Sequence, residues 1–151
     1  MKKLLFLLFF IPLMSFSQEI KFDDIMSINS VDTFKRVVIE NLFELYNEDE
    51  SSVEYGFDIT RDKKEGDKAP KWAMYEKESD GFFFQFVKGG AFIDLEFNKI
   101  VSDIKSKCEY AEIFKEYVIY NCPDSSFEGQ IGFKTSEGSS FVSMFPFFSI
   151  D

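Results

Sequence analysis

Alternation of apolar and polar residues, the pattern of a half-buried β-strand, identifies strands in this chain. The clearest case is residues 52–60, where the apolar positions are Val53, Tyr55, Phe57 and Ile59. Comparable runs predict strands at residues 42–47, 71–78, 81–88, 108–114, 116–122, 128–135 and 139–148. Short segments rich in Gly, Ser, Asn and Asp separate several of these runs and predict turns.

The run 81–88 differs from the others because it is apolar on both sides. Phe82, Phe84 and Phe86 share one side, and Phe83 and Val87 share the other with Gln85. A strand that is apolar on both sides is typical of the centre of a sheet. We therefore expect residues 81–88 to form a central strand that is covered on both faces.

Helical spacing of apolar residues appears in two longer segments, 31–41 and 93–107, and a short helical turn is predicted at 22–28. Ser30 is placed to cap the first of these helices. Residues 42–47 allow either a continued helix or a strand. We favour the strand, because residues 47–51 then form a hairpin turn into residues 52–60.

The order of elements indicates two units, each a helix followed by about four antiparallel strands. No repeat is visible residue by residue. Strands grouped in blocks and separated by helices predict an α+β fold with an antiparallel sheet and two packed helices.

The first 17 residues have the layout of a secretory signal peptide. Lys2 and Lys3 precede an apolar run at 4–14, and Ser15 and Ser17 are small residues at a cleavage site. The run is shorter than the about 20 residues of a membrane-spanning helix. We therefore predict cleavage after Ser17, a secreted or periplasmic location, no membrane insertion afterwards, and a single domain at 18–151.

The chain after the leader is strongly acidic. Without Lys2 and Lys3, 15 basic residues face 27 acidic ones, and the net charge is −12. Such a surface repels nucleic acid and anionic lipid, so neither is expected as a partner. The expected partner is a protein or a small ligand of unknown identity, and the chain is expected to be a monomer.

Cys108 and Cys122 are the only cysteines, and the chain has no histidine. In a secreted chain two cysteines indicate a disulfide, with free thiols as the alternative. A hairpin that turns around Lys115, with opposed residue numbers summing to 230, places the two cysteines face to face. The same register predicts an apolar face made of Ala111, Ile113, Tyr117 and Ile119.

Catalytic and metal-binding motifs are not evident. Without histidine, Ser-His-Asp and Cys-His catalysis are excluded, and the segment 61–70 lacks the ligand spacing of a calcium loop. No catalytic residue, metal site or cofactor is predicted. Trp72 and Tyr75 fall on opposite faces of a strand, so a shared sugar-stacking platform is not expected, and core packing is expected for each.

Four segments carry a resemblance: "SFSQ" at 15–18, "FDDIMSINSVDTFKRVVIEN" at 22–41, "APKWAMYEKES" at 69–79 and "EGQIGFKTSEG" at 128–138. Together they resemble small secreted uncharacterised proteins of Bacteroidota. The resemblance implies a cell type and brings no activity or site residues. The helix-plus-four-strand unit is also similar in arrangement to bacterial protease and β-lactamase inhibitor proteins, at the level of fold alone.

The function expected from the sequence is a secreted, non-enzymatic binding protein. The alternative is a small hydrolase that uses paired carboxylates. An apolar patch on the sheet would favour the binding protein, and a cleft with two carboxylates about 5–10 Å apart would favour the hydrolase.

The leader gives the first testable prediction. Intact-mass measurement of the exported protein should show a chain that begins at Gln18, or at its cyclised form. An exported protein that retains residues 1–16 would contradict both the leader and the oxidising compartment inferred from it.

Overall fold

A computed structural model describes residues 19–123 and 125–146 of the chain. Its helices are α1 (Phe22–Met26), α2 (Val31–Glu40) and α3 (Ala91–Lys107). Its strands are β1 (Phe43–Glu48), β2 (Ser52–Phe57), β3 (Lys71–Glu76), β4 (Gly81–Val87), β5 (Glu109–Phe114), β6 (Tyr117–Asn121), β7 (Gly129–Thr135) and β8 (Ser139–Pro146). The predicted leader, residues 1–17, lies outside the described residues.

All eight strands form one open antiparallel sheet in the order β1-β2-β3-β4-β8-β7-β6-β5. Each half of the sheet is a four-strand meander that follows a helix, and the halves meet where β4 pairs with β8. Phe84 lies opposite Val142 near the middle of that pair. The α+β class and the two helix-plus-four-strand units are therefore confirmed, with α1 as an additional short helix.

Helix α2 begins and ends where local chemistry dictates. The Ser30 hydroxyl accepts the N–H of Thr33, and the Thr33 hydroxyl accepts the N–H of Ser30, so both donors at the helix start are satisfied. At the other end the Asn41 side chain donates to the Val37 carbonyl, and Leu42 has a positive φ of 61°. The helix therefore stops before residues 42–47, and the strand preferred there is confirmed.

The hydrophobic core lies between the helices and one face of the sheet. The ring of Phe34 on α2 contacts the rings of Tyr55, Tyr75, Phe82 and Phe84. Phe97 on α3 contacts Phe86, on the same side of β4. Both long helices therefore cover one face of the sheet, and α1 packs beside α3.

The expectation for β4 is correct in one part and wrong in the other. The strand is central, since it pairs with β3 and β8. Phe82, Phe84 and Phe86 are buried, but Phe83 on the other side is only half-buried. An apolar residue on a strand shows that a face is apolar, but it does not say whether a helix covers that face.

In the second predicted hairpin, β5–β6, the two cysteines are paired as expected, but the strand register differs beyond Tyr110. Cys108 and Cys122 form a disulfide with a Cα–Cα distance of 4.4 Å, and Tyr110 lies opposite Tyr120. Beyond that pair Ala111 is a bulge, so Ile119 lies opposite Glu112 instead of Ala111. The register therefore shifts by one residue. The predicted apolar face of Ala111, Ile113, Tyr117 and Ile119 is wrong, because Ile119 is buried whereas Ile113 is 67% exposed.

A buried ion pair joins the first half of the sheet to α3. Lys71 on β3 donates to both carboxylate oxygens of Glu96, at 3.1 and 3.0 Å, and both side chains are buried. The Lys71 ammonium also lies 4.2 Å from the ring centre of Phe57, and the Glu96 carboxylate accepts the N–H of Ile20 at 2.7 Å. Burial raises the pKa of Glu96, since desolvation outweighs the attraction of Lys71.

We expect Lys71→Met to lower the free energy of unfolding by about 3–5 kcal/mol at neutral pH, because a buried carboxylate loses its counter-ion. Adding Glu96→Gln to that variant should recover part of the loss. The gap between Lys71→Met and wild type should narrow as the pH falls, because protonation of Glu96 removes the uncompensated charge. Urea unfolding at several pH values measures each quantity.

The matched control is Lys99→Met. Lys99 and Glu19 form a more exposed pair at 2.7 Å, so this change should cost no more than about 1 kcal/mol. Equal losses for Lys71→Met and Lys99→Met would contradict the importance of the buried pair.

We expect the double replacement Cys108→Ala, Cys122→Ala to lower the free energy of unfolding by about 2–4 kcal/mol, because the bond closes a short loop in the unfolded chain. Thiol titration of the denatured, unreduced protein should find no free thiol. Two titratable thiols per chain would show that the bond does not form in the isolated protein.

Candidate functional site

The candidate site is the sheet face opposite the helices, called the open face below. In the part of the chain that the structure describes, no helix packs on this face. Its residues come from the positions that alternate with the core positions on each strand: Tyr46, Glu54, Gly56, Trp72, Met74, Phe83, Gln85, Tyr117, Ile119, Gly132, Lys134, Phe141, Ser143 and Phe145. Most of these side chains are half-buried, so they pack sideways on one another and still meet solvent.

Three separate aromatic pairs lie along the open face. Tyr46 packs edge-on against Trp72 at 5.0 Å between ring centres, and Phe83 contacts Phe141 at 6.2 Å. A third pair, Tyr117 and Phe145, lies at 5.1 Å. These six rings, called the aromatic band, extend from β1 to β6. Aromatic residues are enriched in protein-binding surfaces because they offer large contact area with few rotatable bonds.

Two glycines let large side chains lie flat on the open face. A Cβ at Gly56 would come within 2.6 Å of Ile59 and 3.0 Å of Trp72. A Cβ at Gly132 would come within 2.5 Å of Ile119 and 3.0 Å of Phe145. The absence of a side chain at these two positions therefore shapes the apolar surface on each half of the sheet.

A groove of ≈ 250 Å³ lies at the β1–β4 end of the open face. It is lined by Tyr46, Glu54, Asp67, Trp72, Ala73, Met74, Phe83 and Gln85. The β2–β3 loop, residues 58–70, supplies Asp67 to the lining and is closed at its base by mutual hydrogen bonds between Thr60 and Lys68. The groove is smaller than the about 300–1,000 Å³ of drug-sized ligand sites, so it suits a group the size of one side chain.

The groove is acidic as well as aromatic. Two of its lining residues, Glu54 and Asp67, carry carboxylates, and none is basic. Asp67 accepts the N–H of Asp62 at 3.2 Å. The half-buried carboxylate of Glu54 has no hydrogen bond or ion pair with any residue that the structure describes.

Glu48, on the neighbouring strand β1, is a carboxylate whose charge is balanced by two lysines. It accepts from Lys35 at 2.8 Å and from Lys77 at 3.0 Å. Its hydrogen bonds, first with Lys35 and then with Lys77, hold the pKa of Glu48 below its usual range. Glu54, by contrast, forms no ion pair with any of the residues that the structure describes.

The structure places Trp72 and Tyr75, which the sequence analysis considered as a sugar-stacking platform, in different environments. Tyr75 is buried in the core and donates to Asp80 at 2.9 Å, as expected of a core residue. Trp72 instead lines the groove, so the expectation of core packing for Trp72 is wrong. The opposite placement of the two rings along β3 is as predicted.

The groove was missed by sequence analysis because its lining comes from four strands and one loop. Glu54 precedes Trp72 by 18 residues, and the register of β2 and β3 brings these two together, whereas Asp67 comes from the β2–β3 loop. No cluster of three or more metal-ligating side chains occurs among the residues described. Within the same residues, no helix is long and apolar enough to cross a membrane.

No protein-family model, curated protein or solved structure matches this chain.

Proposed function

We propose that the protein is a non-enzymatic binding module that acts outside the cytosol and contacts its partner through the open face. The observation that carries the proposal is the aromatic band, which lies on a sheet face that none of the described helices covers. Contiguous apolar patches that remain in contact with solvent mark interaction surfaces in monomeric proteins, whereas single exposed apolar residues do not. The disulfide supports a secreted or periplasmic location, because thiols are oxidised there.

We propose that the module is a monomer, and acidic residues on both edge strands support this proposal. Glu44 and Glu48 lie on β1, and Glu109 and Glu112 lie on β5. Charged residues and bulges on edge strands oppose edge-to-edge association. The bulges in β1 at Tyr46 and in β5 at Ala111 act in the same direction.

One observation favours the alternative of a carboxylate hydrolase. Glu54 and Asp67 line the same groove, and glycoside hydrolysis needs two carboxyl groups that flank the scissile bond. Release of methylumbelliferone from methylumbelliferyl glycosides, abolished by Glu54→Gln, would support the hydrolase. The binding module predicts no such release by wild-type protein.

The test of the binding module compares surface variants in one pull-down from the cell envelope and medium. We expect Trp72→Gln or Phe141→Gln to lose the proteins that wild type captures, because each change removes a ring from the aromatic band. Circular dichroism checks that each variant is folded, and mass spectrometry measures the captured proteins.

The matched control is Phe92→Gln, which removes a 75% exposed phenylalanine from α3. This variant should capture the same proteins as wild type. If Phe92→Gln loses them and Trp72→Gln keeps them, the binding surface lies elsewhere and the proposal is wrong.

A further inference from the structure

The two halves of the open face carry equivalent positions with different chemistry. The antiparallel β4–β8 pair relates Phe83 to Phe141, and each of these rings has one neighbour on the next strand outward. That neighbour is Met74 for Phe83 and Lys134 for Phe141. An apolar residue therefore stands in the first half where a basic residue stands in the second.

In the second half, Lys134 provides a cation to the aromatic residues around it. Its ammonium lies 4.7 Å from the ring centre of Tyr117 and 5.4 Å from that of Phe141. Both distances are within the range of cation–π attraction. The cation that contacts the rings in this half of the open face is therefore the ammonium of Lys134, a side chain of the protein itself.

In the first half, the groove combines aromatic rings with acidic side chains, and its lining contains no basic residue. Tyr46, Trp72 and Phe83 line it, and Glu54 and Asp67 supply negative charge. Faces of Trp and Tyr beside carboxylates favour an organic cation, which gains cation–π and charge-assisted hydrogen-bond contacts together.

We propose that this groove binds a basic side chain, arginine or lysine, of a partner protein. The proposal rests on the binding module proposed above and names the chemistry of its partner. The groove volume fits one side chain, the net charge of −12 that remains without the predicted leader attracts basic surfaces, and the flanking aromatic band accepts apolar neighbours of the inserted residue. Arginine fits best, because its planar guanidinium both stacks on rings and pairs with carboxylates.

Trp72 is the only tryptophan of the chain, so its fluorescence reports on the groove directly. The probes are two peptides, acetyl-Gly-Leu-Arg-Leu-Gly amide and the same peptide with citrulline, which is neutral and nearly isosteric, in place of arginine. Wild-type exported protein should bind the arginine peptide roughly tenfold more tightly. Added salt should reduce that preference, since the groove is open to solvent.

Two variants locate the effect. Glu54→Gln should reduce the preference for arginine from roughly tenfold to about twofold, and Asp67→Asn should reduce it in the same direction. The matched control is Glu112→Gln, which removes the same charge on β5, about 29 Å away across six strand spacings. The preference of Glu112→Gln for the arginine peptide over the citrulline peptide should equal that of wild type.

Equal binding of the two peptides by wild type, or no change of Trp72 fluorescence with either, would overturn the proposal. A preference lost equally in Glu54→Gln and Glu112→Gln would also overturn it, since it would reflect net charge alone. If wild type binds the two peptides equally while Trp72→Gln still abolishes capture in the pull-down, the proposed binding module stands. Only the proposal that its groove binds a basic side chain is wrong in that case.

Discussion

The pairing of β4 with β8 is the constraint on which the rest of the structure depends. It joins two meanders into one sheet, and it is antiparallel, so the halves are related by a rotation about an axis perpendicular to the sheet near Phe84 and Val142. Such a rotation keeps each face on its own side. Helices α2 and α3 therefore cover the same face, and no helix within residues 19–123 and 125–146 covers the other face of the eight strands, about 34 Å across.

The two faces of the sheet differ in how deeply their side chains are buried. The helix face holds the Phe34 cluster and the buried pair of Lys71 and Glu96, which ties β3, α3 and the segment at Ile20 together. These contacts are desolvated, and loss of any one of them is expensive in stability. The open face holds half-buried rings that still meet solvent, and these are the side chains through which the proposed module would contact a partner.

Much of the fold could be predicted from local patterns, because the Ser30 cap, the strand alternation and the paired cysteines each depend on nearby residues. The bulge at Ala111 could not, since it depends on how β5 meets β6 within the finished sheet. The groove could not either. Alternation identifies Trp72 and Phe83 as members of an apolar face, but it does not distinguish a face covered by a helix from one that meets solvent.

The near-symmetry of the backbone does not extend to the surface chemistry. Gly56 lies beside Trp72 in the first half, whereas in the second half the glycine is Gly132 and the large neighbour is Ile119. The charges differ too, since Glu54 faces one half and Lys134 the other. Under the proposed function, a partner that spans the open face would meet an acidic groove at one end and, at the other, the rings around Lys134, whose ammonium also lies 3.9 Å from the Glu116 carboxylate. That polarity would orient a bound chain, because only one direction places its basic residue beside Glu54.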